Sequence, residues 1–140
     1  MITVADFKNE AIDFLDCLSE YGFHRHWELE NETTTYCKLV YVGVNVAFEF
    51  FFDVRTQLFT SKVGEVDEKF LAGNPDILPC ELYSCLVHFA AYRGKPNGAI
   101  FDFTSSEPSR IQEAMRDWFC FVESHASFLL KDEEGFFSNG

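Results

Sequence analysis

His24 and His26 stand two residues apart in a stretch of alternating polarity, so both imidazoles project from one face of a strand. Two nitrogens placed that way are half of a tetrahedral zinc set. No third or fourth ligand follows at motif spacing, and His88, His125 and the cysteines could reach the pair only through the fold. Cys85 and His88 lie three apart in a helical stretch, within reach of each other as thiol and base, but no orienting group adjoins them. Glu49 and Asp53 form a carboxylate pair of the kind an acidic chain supplies by chance. The chain carries no G-x-S-x-G, phosphate loop, dinucleotide fingerprint, H-E-x-x-H or calcium loop. No catalytic residue, metal site or cofactor is expected, and the surface becomes the place to look for function.

That surface is strongly acidic. Asp plus Glu number 23 against 11 Lys plus Arg, a net charge of −12. A field of this sign repels nucleic acid and anionic membranes and attracts basic partners. The only basic cluster, Arg93 with Lys95, is too small to reverse that balance. The five cysteines are odd in number and form no C-x-x-C, a usage that fits reduced thiols. Cys17 and Cys120 are expected near the apolar faces of helices, as small hydrophobes. The first residues lack a basic region and an apolar stretch of signal length. The longest apolar run, around residues 46–52, is interrupted by Glu49 and is too short to cross a bilayer. A cytoplasmic protein is expected.

With 140 residues, 47% of them apolar, the chain can bury one core without staples. Thr3 and Asp6 read as a capping box opening a helix over residues 4–21. Its apolar face holds Val4, Phe7, Ala11, Phe14, Leu15, Leu18 and Tyr21, with Asp6, Glu10, Asp13, Asp16 and Glu20 opposite. Gly22 supplies the stop. The period then changes to two. Phe23, Arg25, Trp27 and Leu29 alternate with His24, His26, Glu28 and Glu30, and strands follow over residues 33–42, 46–53 and 58–63. Short turns between them predict an antiparallel meander of four strands. Beyond it the chain reads as helical: a turn over 66–71, a helix over 80–92, and a long helix capped by Ser105 or Ser106 with Ile111, Met115, Trp118, Phe119, Val122, Ala126 and Leu129 on its seam. A short extended segment over 99–103 separates the last two. The expected fold is α+β: one domain over residues 1–131, with helices packed on the sheet, and an acidic and aromatic tail over 132–140.

Seventeen Phe are many for one small core. Phe51, Phe121, Phe128, Phe136 and Phe137 fall outside the assigned core faces. Either a second layer covers them, the ordinary fate of large apolar side chains, or they form an apolar anchor ringed by acid. Two acidic faces are candidates. The strand edge with Glu28, Glu30 and Glu32 ranks first because Trp27 adjoins it, with Glu49 and Asp53 further along the sheet. The stripe of Asp6, Glu10, Asp13, Asp16 and Glu20 is the alternative, since a solvated helix face also looks like that.

The run Leu18-Ser19-Glu20-Tyr21-Gly22-Phe23, continuing into strands of the form Thr35-Tyr36-Cys37-Lys38-Leu39-Val40-Tyr41 and Val46-Ala47-Phe48-Glu49-Phe50-Phe51-Phe52-Asp53-Val54-Arg55, resembles bacterial immunity proteins of polymorphic-toxin and contact-dependent growth-inhibition systems. The likeness covers residues 4–66 by pattern and the rest by helix order. It implies a non-catalytic inhibitor of an intracellularly acting toxin domain, often a small basic nuclease, with an acidic surface that blocks the toxin's groove. The implied partner is that cognate toxin protein, with no nucleic acid and no membrane. The competing class is a small intracellular enzyme or ligand-binding α+β domain with a pocket between sheet and helices.

Overall fold

The computed structural model describes residues 2–30, 35–66, 80–81, 100–102, 107–125 and 127–132, with the backbone alone for Trp27, Leu29, Glu30, His125 and the residues of 80–81 and 100–102. Helix α1 (Val4–Leu15) opens on the expected capping box: Thr3 Oγ1 accepts the Asp6 N–H at 3.1 Å and Asp6 Oδ2 accepts the Thr3 N–H at 3.2 Å. Val4, Phe7, Ala11 and Leu15 are its buried face. The last turns differ from the expected α-helix. Asp16–Tyr21 tighten into a 3-10 helix, in which residues three apart eclipse, so Leu18 follows Leu15 into the core. Gly22, at φ 88°, ends the helix in the left-handed region.

Four strands follow as an antiparallel meander: β1 (His24–Glu30), β2 (Tyr36–Val42), β3 (Val46–Asp53) and β4 (Leu58–Glu65). Two short strands lengthen the sheet at β4: β5 (Cys80–Glu81) opposite Val63 and Lys62, and β6 (Ile100–Asp102) opposite Thr60, Phe59 and Leu58. β6 lies in the expected extended segment. β5 corrects the expected start of a helix at Cys80; the outer N–H and C=O groups of β4 take ladder partners there, which periodicity in a short apolar run cannot reveal. Residues 82–92, like the expected turn at 66–71 beyond Val66, lie outside the described residues.

Register also corrects the simple alternation of β1. A bulge between Arg25 and Trp27 leaves Arg25 opposite Tyr41 but sets Trp27 opposite Val40 and Glu28 opposite Leu39. Glu28 therefore leaves the face of His24 and turns to the helix side of the sheet, where Lys8 of α1 reaches it at 2.5 Å. One extra residue is enough, because side chains on a strand have a period of two.

The main core lies between the sheet and the helices and is largely aromatic. Phe7 stacks on Phe52 at 4.8 Å and leans on Phe59 at 5.7 Å, and Phe23 meets Phe48 at 5.2 Å. Helix α2 (Arg110–His125) drives Trp118 edge-on against Phe50 at 4.8 Å and Phe48 at 5.3 Å, and the indole N–H donates to Ser61 Oγ at 2.9 Å. Ile111, Met115 and Val122 are buried beside it, as the seam predicts, together with Ala114. α2 begins at Arg110, later than a cap at Ser105 or Ser106 would place it. Glu107 and Pro108 form a preceding turn whose carbonyls accept the N–H groups of Arg110 and Ile111, a position that Pro, lacking an N–H, tolerates. A short helix, α3 (Ser127–Leu130), buries Leu129 and Leu130. Phe121 and Phe128 pack half-buried against this core, and Phe51 stacks on Tyr36 at 5.6 Å; Phe136 and Phe137 lie outside the described residues.

The other sheet face is buried in its centre. Val40, Val42 and Ala47 form a second cluster. Glu49, only 3% exposed, sits beside them between Lys38 at 3.1 Å and Lys62 at 4.0 Å. Two side chains tie distant parts of the chain together. Buried Gln57 donates to the Ile2 carbonyl and accepts the Ile2 N–H, both at 2.9 Å. Asp132, at the start of the expected tail, accepts backbone N–H groups of Asn45 and Val46 at 2.8 Å and of Val44 at 2.5 Å, clamping the β2–β3 turn. Cys37 is buried and Cys17 half-buried. Cys120 is exposed, contrary to expectation, because two helical steps from Trp118 carry it to the opposite side of α2.

Candidate functional site

α1 and α2 pack side by side, and the seam between them changes character along its length. At one end Gln112 Nε2 donates to Glu10 Oε2 at 2.8 Å and Asp13 Oδ2 at 3.0 Å. Further along, Phe119 of α2 meets Phe14 at 6.5 Å and Tyr21 at 5.7 Å. Phe14 and Phe119 are half-buried and Tyr21 is 39% exposed, so three rings form a cluster that the core does not fully cover. The 3-10 winding creates it, by bringing Tyr21 into line with Leu15 and Leu18 at the rim of the core. Arg116 is exposed on the same helix as Phe119 and is the nearest basic residue in its sequence.

The carboxylates beside this cluster hold only neutral hydrogen-bond donors. Asp6 caps α1, Glu10 and Asp13 share the Gln112 amide, and Asp16 accepts the Tyr41 hydroxyl at 2.8 Å. Glu20 has neither hydrogen-bond nor ion-pair partner among the described residues. Among the described residues, none of these carboxylates has an ion-pair partner. The other acidic set is different. Glu28 pairs with Lys8 and, at 3.8 Å, with Arg25; Glu49 is buried between two lysines; Asp53 accepts the Arg55 N–H at 2.8 Å and faces its guanidinium at 4.0 Å. Nor does the fold gather that set on one face. By register Trp27 shares the face of Val40 and Glu49, whereas Glu28 shares that of Leu39; Glu30 lies opposite Cys37, and Glu32 lies outside the described residues. Phe14, Tyr21 and Phe119 read from the sequence as plain core positions, and only the end-of-helix place of Tyr21 hinted otherwise.

Next to the 3-10 helix, Asp16, Ser19, Phe23, His24, Arg25 and Tyr41 line an open depression of about 370 Å³. The Tyr41 side chain is part of its lining. Burial first, then the hydrogen bond to Asp16, push the Tyr41 phenol far above its ordinary value. A phenol raised in the folded state adds stability below its unfolded value of about 10, and that stability is lost as pH rises beyond it. Denaturant titrations from neutral pH to above pH 10 should therefore show a steeper alkaline loss in the parent than in Tyr41→Phe. At neutral pH that variant should be less stable by about 1–2 kcal/mol, for the lost hydrogen bond to a carboxylate. Parallel pH profiles would mean that the phenol ionises freely.

Other chemistry finds little support here. His24 and His26 stand with ring centroids 5.8 Å apart, but among the described residues no three His, Cys, Asp or Glu are grouped to hold a metal ion. Burial, then the charges of Glu20 and Asp16, push the Cys17 thiol up, the reverse of what a thiolate nucleophile needs. Among the described residues no helix is long and apolar enough to cross a membrane. Comparison with protein-family models, curated proteins and solved structures finds no match in any of the three.

Proposed function

We propose, from the resemblance and the acidic charge together, that this chain is a non-catalytic immunity protein that captures a basic toxin domain, such as a nuclease, through the α1–α2 seam. The observation that carries this reading is the Phe14–Phe119–Tyr21 cluster set among carboxylates that have no ion-pair partner among the described residues. Such acidic charge steers a basic partner and raises its association rate, and partly buried rings anchor it and slow dissociation. An inhibitor needs both, since free toxin must be captured before it cuts anything. The strand-edge set serves the fold on this account, because its described carboxylates are already ion-paired. The competing reading, a pocket between sheet and helices, has less to stand on: Phe7, Phe48, Phe50, Phe52, Phe59 and Trp118 fill that space.

The test is calorimetry and gel filtration with the C-terminal domain of the polypeptide encoded immediately upstream. A tight 1:1 complex is expected, silencing the toxic activity and associating more slowly as salt rises. Tyr21→Ala should weaken it about tenfold, chiefly through faster dissociation. Reversal of Asp13 and Glu20 to Lys should slow association at low salt, while Glu28→Lys should act mainly on thermal stability. Absence of any complex would reject the immunity reading. A complex indifferent to Tyr21, Asp13 and Glu20 would reject this surface.

A further inference from the structure

The depression beside the 3-10 helix adjoins the proposed docking surface through Asp16, and its chemistry is more specific than a general acidic field. Asp16 Oδ1 is held by the Tyr41 hydroxyl at 2.8 Å, and Tyr41 itself is only 1% exposed, so the carboxylate is oriented by a rigid group. Its second oxygen has no partner among the described residues, and neither has the Ser19 hydroxyl. Phe23 and Tyr41 line it as well, each only 1% exposed. His24 and Arg25 line it too, but the Arg25 Nε lies 3.8 Å from Glu28, which offsets that charge locally, and the His24 ring packs against His26. Asp16 and Arg25 share the depression without forming an ion pair.

We infer that this depression receives one basic side chain of the protein partner, an arginine or lysine, whose charged head bonds the free oxygen of Asp16 and the Ser19 hydroxyl. The inference rests on the proposed capture of a basic partner and adds the contact that fixes the partner's register on the α1–α2 surface. A charge-assisted hydrogen bond to a carboxylate that is already oriented is stronger than one between neutral groups.

A double-mutant cycle tests it, with the same upstream-encoded domain as probe. Asp16→Asn should weaken the complex roughly ten- to a hundredfold. The effect should disappear in the background of one particular Arg→Ala or Lys→Ala variant of the partner, while other basic substitutions remain additive. Ser19→Arg alters an exposed residue and plants a cation of the chain itself in the depression. It should block binding to a similar degree with an unchanged melting temperature. Coupling below about twofold for every basic residue of the partner, or full affinity in Ser19→Arg, would overturn the inference while leaving capture intact if Tyr21→Ala still weakens the complex. No complex with the parent protein would instead sink the immunity reading itself.

Discussion

Trp118→Ala should destabilise the protein by about 3–5 kcal/mol, measured by denaturant unfolding. The indole is completely buried, meets Phe48 and Phe50 edge-on, and gives its N–H to Ser61, itself 1% exposed. Alanine opens a cavity between α2 and the centre of the sheet, and rings packed this tightly cannot collapse into it. It also strands the Ser61 hydroxyl. Two further variants separate these effects. Trp118→Phe retains most of the volume and should cost about 1–3 kcal/mol, part of it from the unpaired hydroxyl. Adding Ser61→Ala removes that unpaired group, so the double variant should be more stable than the sum of the singles predicts. Strict additivity would show that the hydrogen bond contributes nothing.

Asp132→Ala should cost about 2–3 kcal/mol, a large effect for a residue at the edge of the expected acidic and aromatic tail. Its carboxylate accepts three consecutive backbone N–H groups, of Val44, Asn45 and Val46, and its carbonyl accepts from the Asn45 side chain at 2.9 Å. Losing the carboxylate leaves the N–H groups of Val44, Asn45 and Val46 without that acceptor and loosens the hold of the β2–β3 turn on the end of α3. Asp132 also adopts φ 56°, a left-handed conformation that Asp and Asn tolerate better than Ala. Asp132→Asn keeps that tolerance and one acceptor oxygen and should fall between the two. Gly43 probes the same contact from the other side, because a Cβ there would lie 2.6 Å from Asp132 Oδ2. Gly43→Ala should therefore destabilise the parent, and destabilise Asp132→Ala much less. A Gly43→Ala penalty that is equal in both backgrounds would show that the clamp does not exist in solution. Hydrogen exchange at Asn45 and Val46 reports the same contact directly and should quicken in Asp132→Ala.

Residue order alone determined the parts of this protein that depend on local chemistry. The capping box of Thr3 and Asp6, the stop at Gly22, the four strands with their short turns, and the buried seam of Ile111, Met115, Trp118 and Val122 all follow from side-chain type and period. So does the net charge of −12. Tertiary structure decided the rest. A single bulged residue moved Glu28 from the face of His24 to that of Arg25, because strand faces invert with every step. β5 exists because the outer backbone of β4 has partners there, a long-range pairing that local periodicity does not encode. Asp132 found the β2–β3 turn across 86 to 88 positions. Which carboxylates have an ion-pair partner among the described residues depends on which cations the fold brings near: Lys8 to Glu28, Lys38 and Lys62 to Glu49, and only neutral donors to Asp13 and Asp16. A run of acidic residues looks the same in every such arrangement until the chain folds, since pairing acts through space over a few ångströms and sequence records only order.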